Sequence, residues 1–167
     1  MKPPSVHLKL FEIILNGAEQ KLATHLAKSR YETNRANNVK DLKVGTASNE
    51  TVDLEGMAGE IAYCKLMNLY VDMETNPPVM PSYDCITHHG VKVDVKTTPY
   101  RNGHLIATLK KIKNPPDKYV LVVGELPTYS VVGEVWSVDL LKEGNIKDFG
   151  YGPCYALTQS ELNPIVK

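Results

Sequence analysis

Residues 83–97 read Tyr-Asp-Cys-Ile-Thr-His-His-Gly-Val-Lys-Val-Asp-Val-Lys-Thr, from Tyr83 to Thr97. Two short runs with strand character, Tyr83 to Thr87 and Val91 to Thr97, flank His88-His89-Gly90. A three-residue connection ending in glycine suits a type I turn plus bulge, because its last position takes a left-handed backbone. The stretch is therefore predicted to be a β-hairpin. Side chains alternate across a strand, so Val91, Val93 and Val95 take the core side and Lys92, Asp94 and Lys96 the other. With the turn centred on His89, Asp84 falls opposite Asp94, where facing Cβ atoms lie about 5 Å apart. Two like charges so placed repel, and a divalent cation between them reverses the sign; hard cations such as Mg²⁺ prefer oxygen ligands. The bland alternative is a solvated strand face with Asp84 opposite Lys92 or Lys96, since an Asp-X-Lys triplet alone is common.

Upstream, Leu8, Phe11, Ile14, Leu15, Ala18, Leu22 and Leu26 recur at three-to-four spacing and predict a helix over 5–30, with Ser5 as N-cap. Tyr31 to Asn49 is polar and poorly periodic, and reads as a loop or a weak helix ending. Leu54, Met57, Ala58, Ile61, Cys64 and Met67 predict a second helix, capped among Asn49, Thr51 and Asp53 and ending near Asn68; Glu60 rides on it. Downstream, a strand is predicted from His104 to Leu109, before the basic Lys110-Lys111-Ile112-Lys113 and the Pro115-Pro116 break. Lys118 to Gly124 is nearly continuously apolar, as a central strand buried on both faces requires. Tyr129 to Trp136 follows as another strand, and Ser137 or Asp139 starts a short helix ended by Gly144. This order specifies an α/β (α+β) fold, a central mixed β-sheet flanked by helices.

At 167 residues and 43% hydrophobic, the chain suffices for one core, so 1–167 is read as a single domain. Lys+Arg and Asp+Glu are both 19, which excludes a globally basic nucleic-acid binder and makes any attraction to a polyanion local. Such a locality exists: Lys92, Lys96, Arg101, Lys110, Lys111, Lys113 and Lys118 are set against only Asp94 and Asp117 in that segment. No apolar run approaches the roughly 20 residues of a membrane span, and no secretory apolar region follows Met1-Lys2-Pro3-Pro4. A soluble, cytoplasmic protein is expected. Cys64, Cys85 and Cys154 are odd in number and far apart, and fit reduced core thiols rather than disulfides or zinc ligands.

The hairpin and helix together resemble the restriction-endonuclease-like, or PD-(D/E)XK, nuclease superfamily. Its pattern is a helix glutamate, an aspartate at the start of a hairpin and an acidic-X-lysine on the second strand. Gly59-Glu60 resembles the helix element, Asp84 after Pro81-Ser82-Tyr83 the first acid, and Asp94-Val95-Lys96 the triplet; proline stands three positions before Asp84 rather than next to it. The strands at 119–124 and 129–136 also look like those that follow the signature, so the resemblance covers about 54–141. Glu55 lies five residues from Glu60, about 140° round the helix, so only one of the two can face the hairpin. Glu60, beside Gly56 and Gly59, is preferred.

The resemblance implies a restriction-endonuclease-like core and a DNA endonuclease using Mg²⁺, with Mn²⁺ able to substitute. It implies that Asp84, Asp94 and the Val95 carbonyl bind the metal, that Glu60 contributes directly or through water, and that Lys96 orients the attacking water and stabilises developing charge. One metal ion or two is left open. DNA contacts are expected from Lys92, Arg101, His104, Lys110, Lys111 and Lys113; His88 and His89 read as exposed turn residues, and Tyr119, Tyr129 and Trp136 as core. A phage origin, and hence host-cell cytoplasm, is conjecture from compactness. The alternatives are a branched-DNA (Holliday-junction) resolvase and a noncatalytic nucleic-acid-binding protein that retains the fold. The helix over 5–30 is open to two uses, a homodimer contact or a cover for its own sheet.

Overall fold

The structure, a computed structural model, describes residues 10–38 and 48–167. Its elements are β1 (Phe11–Ile14), α1 (Gly17–Ala36), α2 (Asn49–Met67), β2 (Cys85–Ile86), β3 (Lys92–Thr98), β4 (Leu105–Thr108), β5 (Lys118–Glu125), β6 (Thr128–Trp136), α3 (Ser137–Leu140), β7 (Ile146–Asp148) and β8 (Pro153–Leu157). The fold is α+β. Five strands form a mixed sheet in the order β1-β6-β5-β3-β2, in which β3 and β5 are parallel and the other pairs antiparallel.

The apolar run at the start of β5 becomes the middle of this sheet. Tyr119, Val120, Leu121 and Val122 are each fully buried, alternately on the two faces. Burying such a side chain contributes about 1.5–3 kcal/mol relative to leaving it in water, which is why this strand and not a more polar one takes the centre. Val120 and Val122 join Val93, Val95 and Val131 beneath Met57, Ala58 and Ile61 of α2 and Ala23 and Leu26 of α1. Tyr119 and Leu121 pack on the opposite face with Val132, Val135 and Leu140, against Leu105, Tyr155 and Leu157. Those last residues belong to a second, three-stranded antiparallel sheet of order β4-β8-β7.

Several sequence expectations are corrected. The helix expected over 5–30 is instead the edge strand β1 followed by α1, which begins at Gly17 and ends at Ala36, within the segment read as a loop or a weak helix ending. Phe11 and Ile13 point inward by strand alternation, and β1 pairs with β6 from Phe11↔Val131 to Ile14↔Thr128. Asn16 closes a capping box with Glu19, and this local chemistry, stronger than the apolar spacing, fixes the helix start. The N-cap expected at Ser5 lies outside the described residues. The α2 boundaries match the expectation closely, with Ser48 rather than Asn49 as the cap and Asn68 closing the helix in the left-handed conformation. One sheet is expected and two are present among the described residues, because the C-terminal segment supplies β7 and β8. The basic run Leu109–Lys113 is a 3-10 turn. Tyr119 and Tyr129 are core, but Trp136 is 45% exposed. No helix among the described residues is long and apolar enough to cross a membrane.

Candidate active site

Gly90 takes φ +80° and its N–H donates to Thr87 O at 2.9 Å, closing the turn. The hairpin register is Cys85↔Val93 and Ile86↔Lys92, and Asp84 lies one residue before β2, outside the paired ladder on which the spacing predicts it to face Asp94. Asp84 does not simply share the Asp94 face, however. Its N–H donates to Val93 O at 2.8 Å and its Oδ2 accepts from Val95 N at 2.6 Å, so the carboxylate folds back onto β3. In a strand the N–H and C=O of one residue point to the same side, and the Val95 carbonyl is therefore turned toward Asp84 as well.

Asp94 is not on an open strand face, because both faces of β3 are covered; it is only 2% exposed. Its charge is met by two ammoniums. Lys96 Nζ lies 2.6 Å from Oδ1, and Lys111 Nζ lies 2.6 Å from Oδ2 while also donating to Ser82 O at 3.1 Å. The contact of Lys96 with the buried Oδ1 is a close ion pair. Burial pushes Asp84 up to about 6, and the Asp94 charge adds to the rise. Burial opposes charge on Lys96, but the Asp94 and Asp84 carboxylates more than offset it and hold the ammonium above its usual range.

Glu60 approaches from α2. Gly59 sets the height of the helix, since a Cβ there would collide with Thr97 Oγ1; Gly56, expected to help, faces open space. Glu60 is raised well above the usual carboxylate range by burial and then by the Asp84 charge, against the pull of Arg30. Arg30 was not singled out by sequence reasoning, because its role is created by the packing of α1 on α2. Its Nη1 contacts Glu60 Oε2 at 3.2 Å, its Nη2 donates to Asp72 O at 3.0 Å and its Nε to Glu74 O at 3.3 Å. Glu55 points elsewhere, accepting from Tyr129 OH at 2.5 Å and Leu126 N at 3.2 Å. Thus Asp84, Asp94, Lys96 and Lys111 come together, with Glu60 at the border through Asp84.

Of the other DNA-contact residues, Lys92, Arg101, Lys110 and Lys113 are exposed, and His104 stacks beside Phe149 with ring centroids 5.2 Å apart. His88 Nε2 lies 3.1 Å from Asn68 O. Cys64 and Cys85 are buried free thiols, and Cys154 is a partly buried free thiol.

The donors available to a cation are oxygens, the kind a hard divalent ion prefers; Asp84 and Glu60 are raised first by burial, Asp84 further by Asp94 and Glu60 further by Asp84. Both Asp94 oxygens are met by ammoniums, and among the described residues no group of three or more His, Cys, Asp or Glu side chains is gathered as metal ligands. The nearest positive charges are the two lysines.

The chain belongs to a family of unknown function, DUF5843, whose model matches residues 11–126. That span contains Arg30, Glu60, Asp84, Asp94, Lys96 and Lys111. No curated protein matches the chain.

Proposed function

We propose that this protein is a Mg²⁺-dependent DNA endonuclease with a restriction-endonuclease-like, PD-(D/E)XK core. The observation that carries the reading is the hairpin that brings the Asp84 carboxylate to Val95 N at 2.6 Å, next to Asp94, whose carboxylate meets the Lys96 ammonium at 2.6 Å. Asp84, Asp94 and the Val95 carbonyl are the ligands in this reading, and Glu60, braced by Arg30, is the outer carboxylate. A hard divalent cation held there supplies charge neutralisation and an acidified water. Lys96 keeps its proton and offers a fixed positive charge to the phosphate as negative charge builds on it. Water oxygen bonds to phosphorus as the ester P–O bond breaks. One water is consumed, its hydroxyl staying on the phosphate and its proton going to the departing oxygen. Lys92, Arg101, Lys110 and Lys113 serve as exposed contacts to the DNA backbone.

The test is to incubate the protein with linear, supercoiled, single-stranded and branched DNA, with Mg²⁺ or with chelator. Cleavage in at least one lane, dependent on Mg²⁺ and lost in Asp94→Asn, supports the reading, and preference for the branched substrate identifies a resolvase. A second reading, a noncatalytic nucleic-acid-binding protein, draws support from the double lysine clamp on Asp94. It predicts DNA retention without cleavage in every lane.

A further inference from the structure

Glu134 and Trp136 are alternate residues of β6, and the β5–β6 register sets Lys118 opposite Trp136 and Val120 opposite Glu134. Side chains alternate across strands, so Lys118, Glu134 and Trp136 share the face on which Val120 packs under the helices. Asp94 is on the other face, since its β5 partner Tyr119 packs under the second sheet. Lys118, Glu134 and Trp136 line a cavity of about 280 Å³ together with Asn163, Pro164 and Val166. A backbone bridge fixes the second wall: Glu134 N donates to Asn163 O at 2.9 Å, and Asn163 N donates to Glu134 O at 2.8 Å. This volume is near the lower end of the roughly 300–1,000 Å³ of small-molecule sites and suits one flat ring system.

The polar groups of the wall decide which ring. Lys118 Nζ donates to Glu134 Oε1 at 2.9 Å and lies 5.0 Å from the Trp136 ring centroid. Glu134 is 7% exposed, and its Oε2 is buried with no hydrogen-bond partner. An unpaired buried carboxylate oxygen is costly, and a ligand N–H relieves the cost. The ion pair is neutral as a whole, so an anion is repelled by Glu134 and a cation by Lys118, while a hydrocarbon ring leaves Oε2 unpaired. A neutral ring with an N–H beside a carbonyl satisfies every group: the N–H donates to Oε2, the carbonyl oxygen accepts from Lys118, and the ring stacks on the half-exposed Trp136. We infer that this pocket binds an unpaired nucleobase with such an edge, namely thymine, uracil or guanine. Oε2 is closed to solvent, and the ring reaches it by parting Trp136 from Val166, which are 45% and 73% exposed. Base binding does not depend on the nuclease activity proposed above, because the pocket and Asp94 lie on opposite faces of the sheet.

Trp136 is the single tryptophan of the chain, so its fluorescence reports this pocket alone. The experiment titrates the full chain, in chelator, with thymidine, guanosine, 3-methylthymidine and single-stranded oligothymidylate. Thymidine and guanosine should quench saturably. 3-Methylthymidine, whose one ring N–H is replaced by a methyl, should bind at least about tenfold more weakly, the low end for a hydrogen bond to a charged group. That comparison is made on wild type and is independent of the folding of any variant. Lys118→Met/Glu134→Met, which keeps Trp136 and strands no charge, should lose thymidine affinity by a similar factor. Trp136→Leu, followed by calorimetry, should lose at least about fivefold, the low end for stacking of a base on an aromatic ring. Tighter binding of oligothymidylate than of thymidine identifies an unpaired base of a nucleic acid as the source, and the reverse order identifies a free nucleoside. Equal quenching by thymidine and 3-methylthymidine is collision with an exposed ring and overturns the site. Absence of saturable quenching by both thymidine and guanosine overturns it too, whatever the cleavage assays show.

Discussion

The position of Glu60 depends on how closely α2 approaches β3, and two glycines on that helix test the approach with opposite expected signs. Both occupy the helix interior, where glycine costs about 0.5–1 kcal/mol relative to alanine. At Gly56 a new Cβ meets nothing within 4 Å, so Gly56→Ala should recover that amount. At Gly59 the Cβ would fall onto the Thr97 hydroxyl and lie 3.0 Å from both Thr97 Cβ and Cγ2. Rotation about χ1 moves the hydroxyl but not Cβ, which is fixed to the sheet, so helix or strand must shift. Overpacking of this kind costs about 1–3 kcal/mol, and subtracting the propensity gain leaves Gly59→Ala destabilised by ~0–2.5 kcal/mol. The two variants should therefore differ by about 2 kcal/mol, or about 4–8 °C in Tm for a chain of this size. Urea and thermal unfolding of both, beside wild type, provide the measurement. If Gly59→Ala is stabilised as much as Gly56→Ala, α2 does not lie on Thr97 and the placement of Glu60 beside the hairpin fails.

Three further outcomes follow from the same geometry. Arg30→Met strands Glu60 and releases two backbone carbonyls, and should cost about 1.5–3 kcal/mol as the loss of charged hydrogen bonds; in urea unfolding, Arg30→Met/Glu60→Gln should recover part of that, and no recovery would disconnect the pair. Lys118 and Glu134 form a largely buried ion pair at 2.9 Å, with Glu134 Oε2 lacking a partner. Lys118→Met alone should destabilise more than Lys118→Met/Glu134→Met, because an apolar pair avoids the stranded charge; the reverse order in denaturant melts would contradict the assignment. Asp84 is held near pH 6, above its ordinary 3.8. Between those values the folded state keeps a proton the unfolded chain has lost, so this group's contribution is full below about pH 4 and falls as pH rises through about 6. Raised Glu60 adds the same sign. In the metal-free protein, the stability change from pH 5 to pH 7 should be more negative in wild type than in Asp84→Asn, and equal changes would refute the shift.

What the sequence revealed best was the hairpin, because Gly90 marks the turn and a strand period of two leaves no freedom once the turn is centred. The β5 run was equally legible, since five successive apolar residues, three of them valine, suit a short strand covered on both sides. β1 was missed because Leu8, Phe11, Ile14 and Leu15 fit a helical period, while the strand reading depends on pairing with β6 more than a hundred residues away. Short β7 and β8 have little pattern of their own and exist because they cover the far face of the main sheet. Within the candidate site, the hairpin residues could be named from spacing. Arg30 and Lys111 could not, since each reaches its carboxylate through tertiary packing, and Lys111 looked like one more basic residue in a basic run.

The central claim is that Asp84, Asp94 and Lys96 form a metal-dependent phosphodiester-cleaving site. Its most direct test is the nicking of supercoiled plasmid at neutral pH by wild type, Asp94→Asn and Lys96→Ala, each shown to be folded, in Mg²⁺ and in chelator. The account predicts Mg²⁺-dependent nicking by wild type and a loss of at least about a hundredfold in each variant, the scale on which a charge placed at the transition state acts. Nicking that persists in Asp94→Asn or in chelator would contradict it.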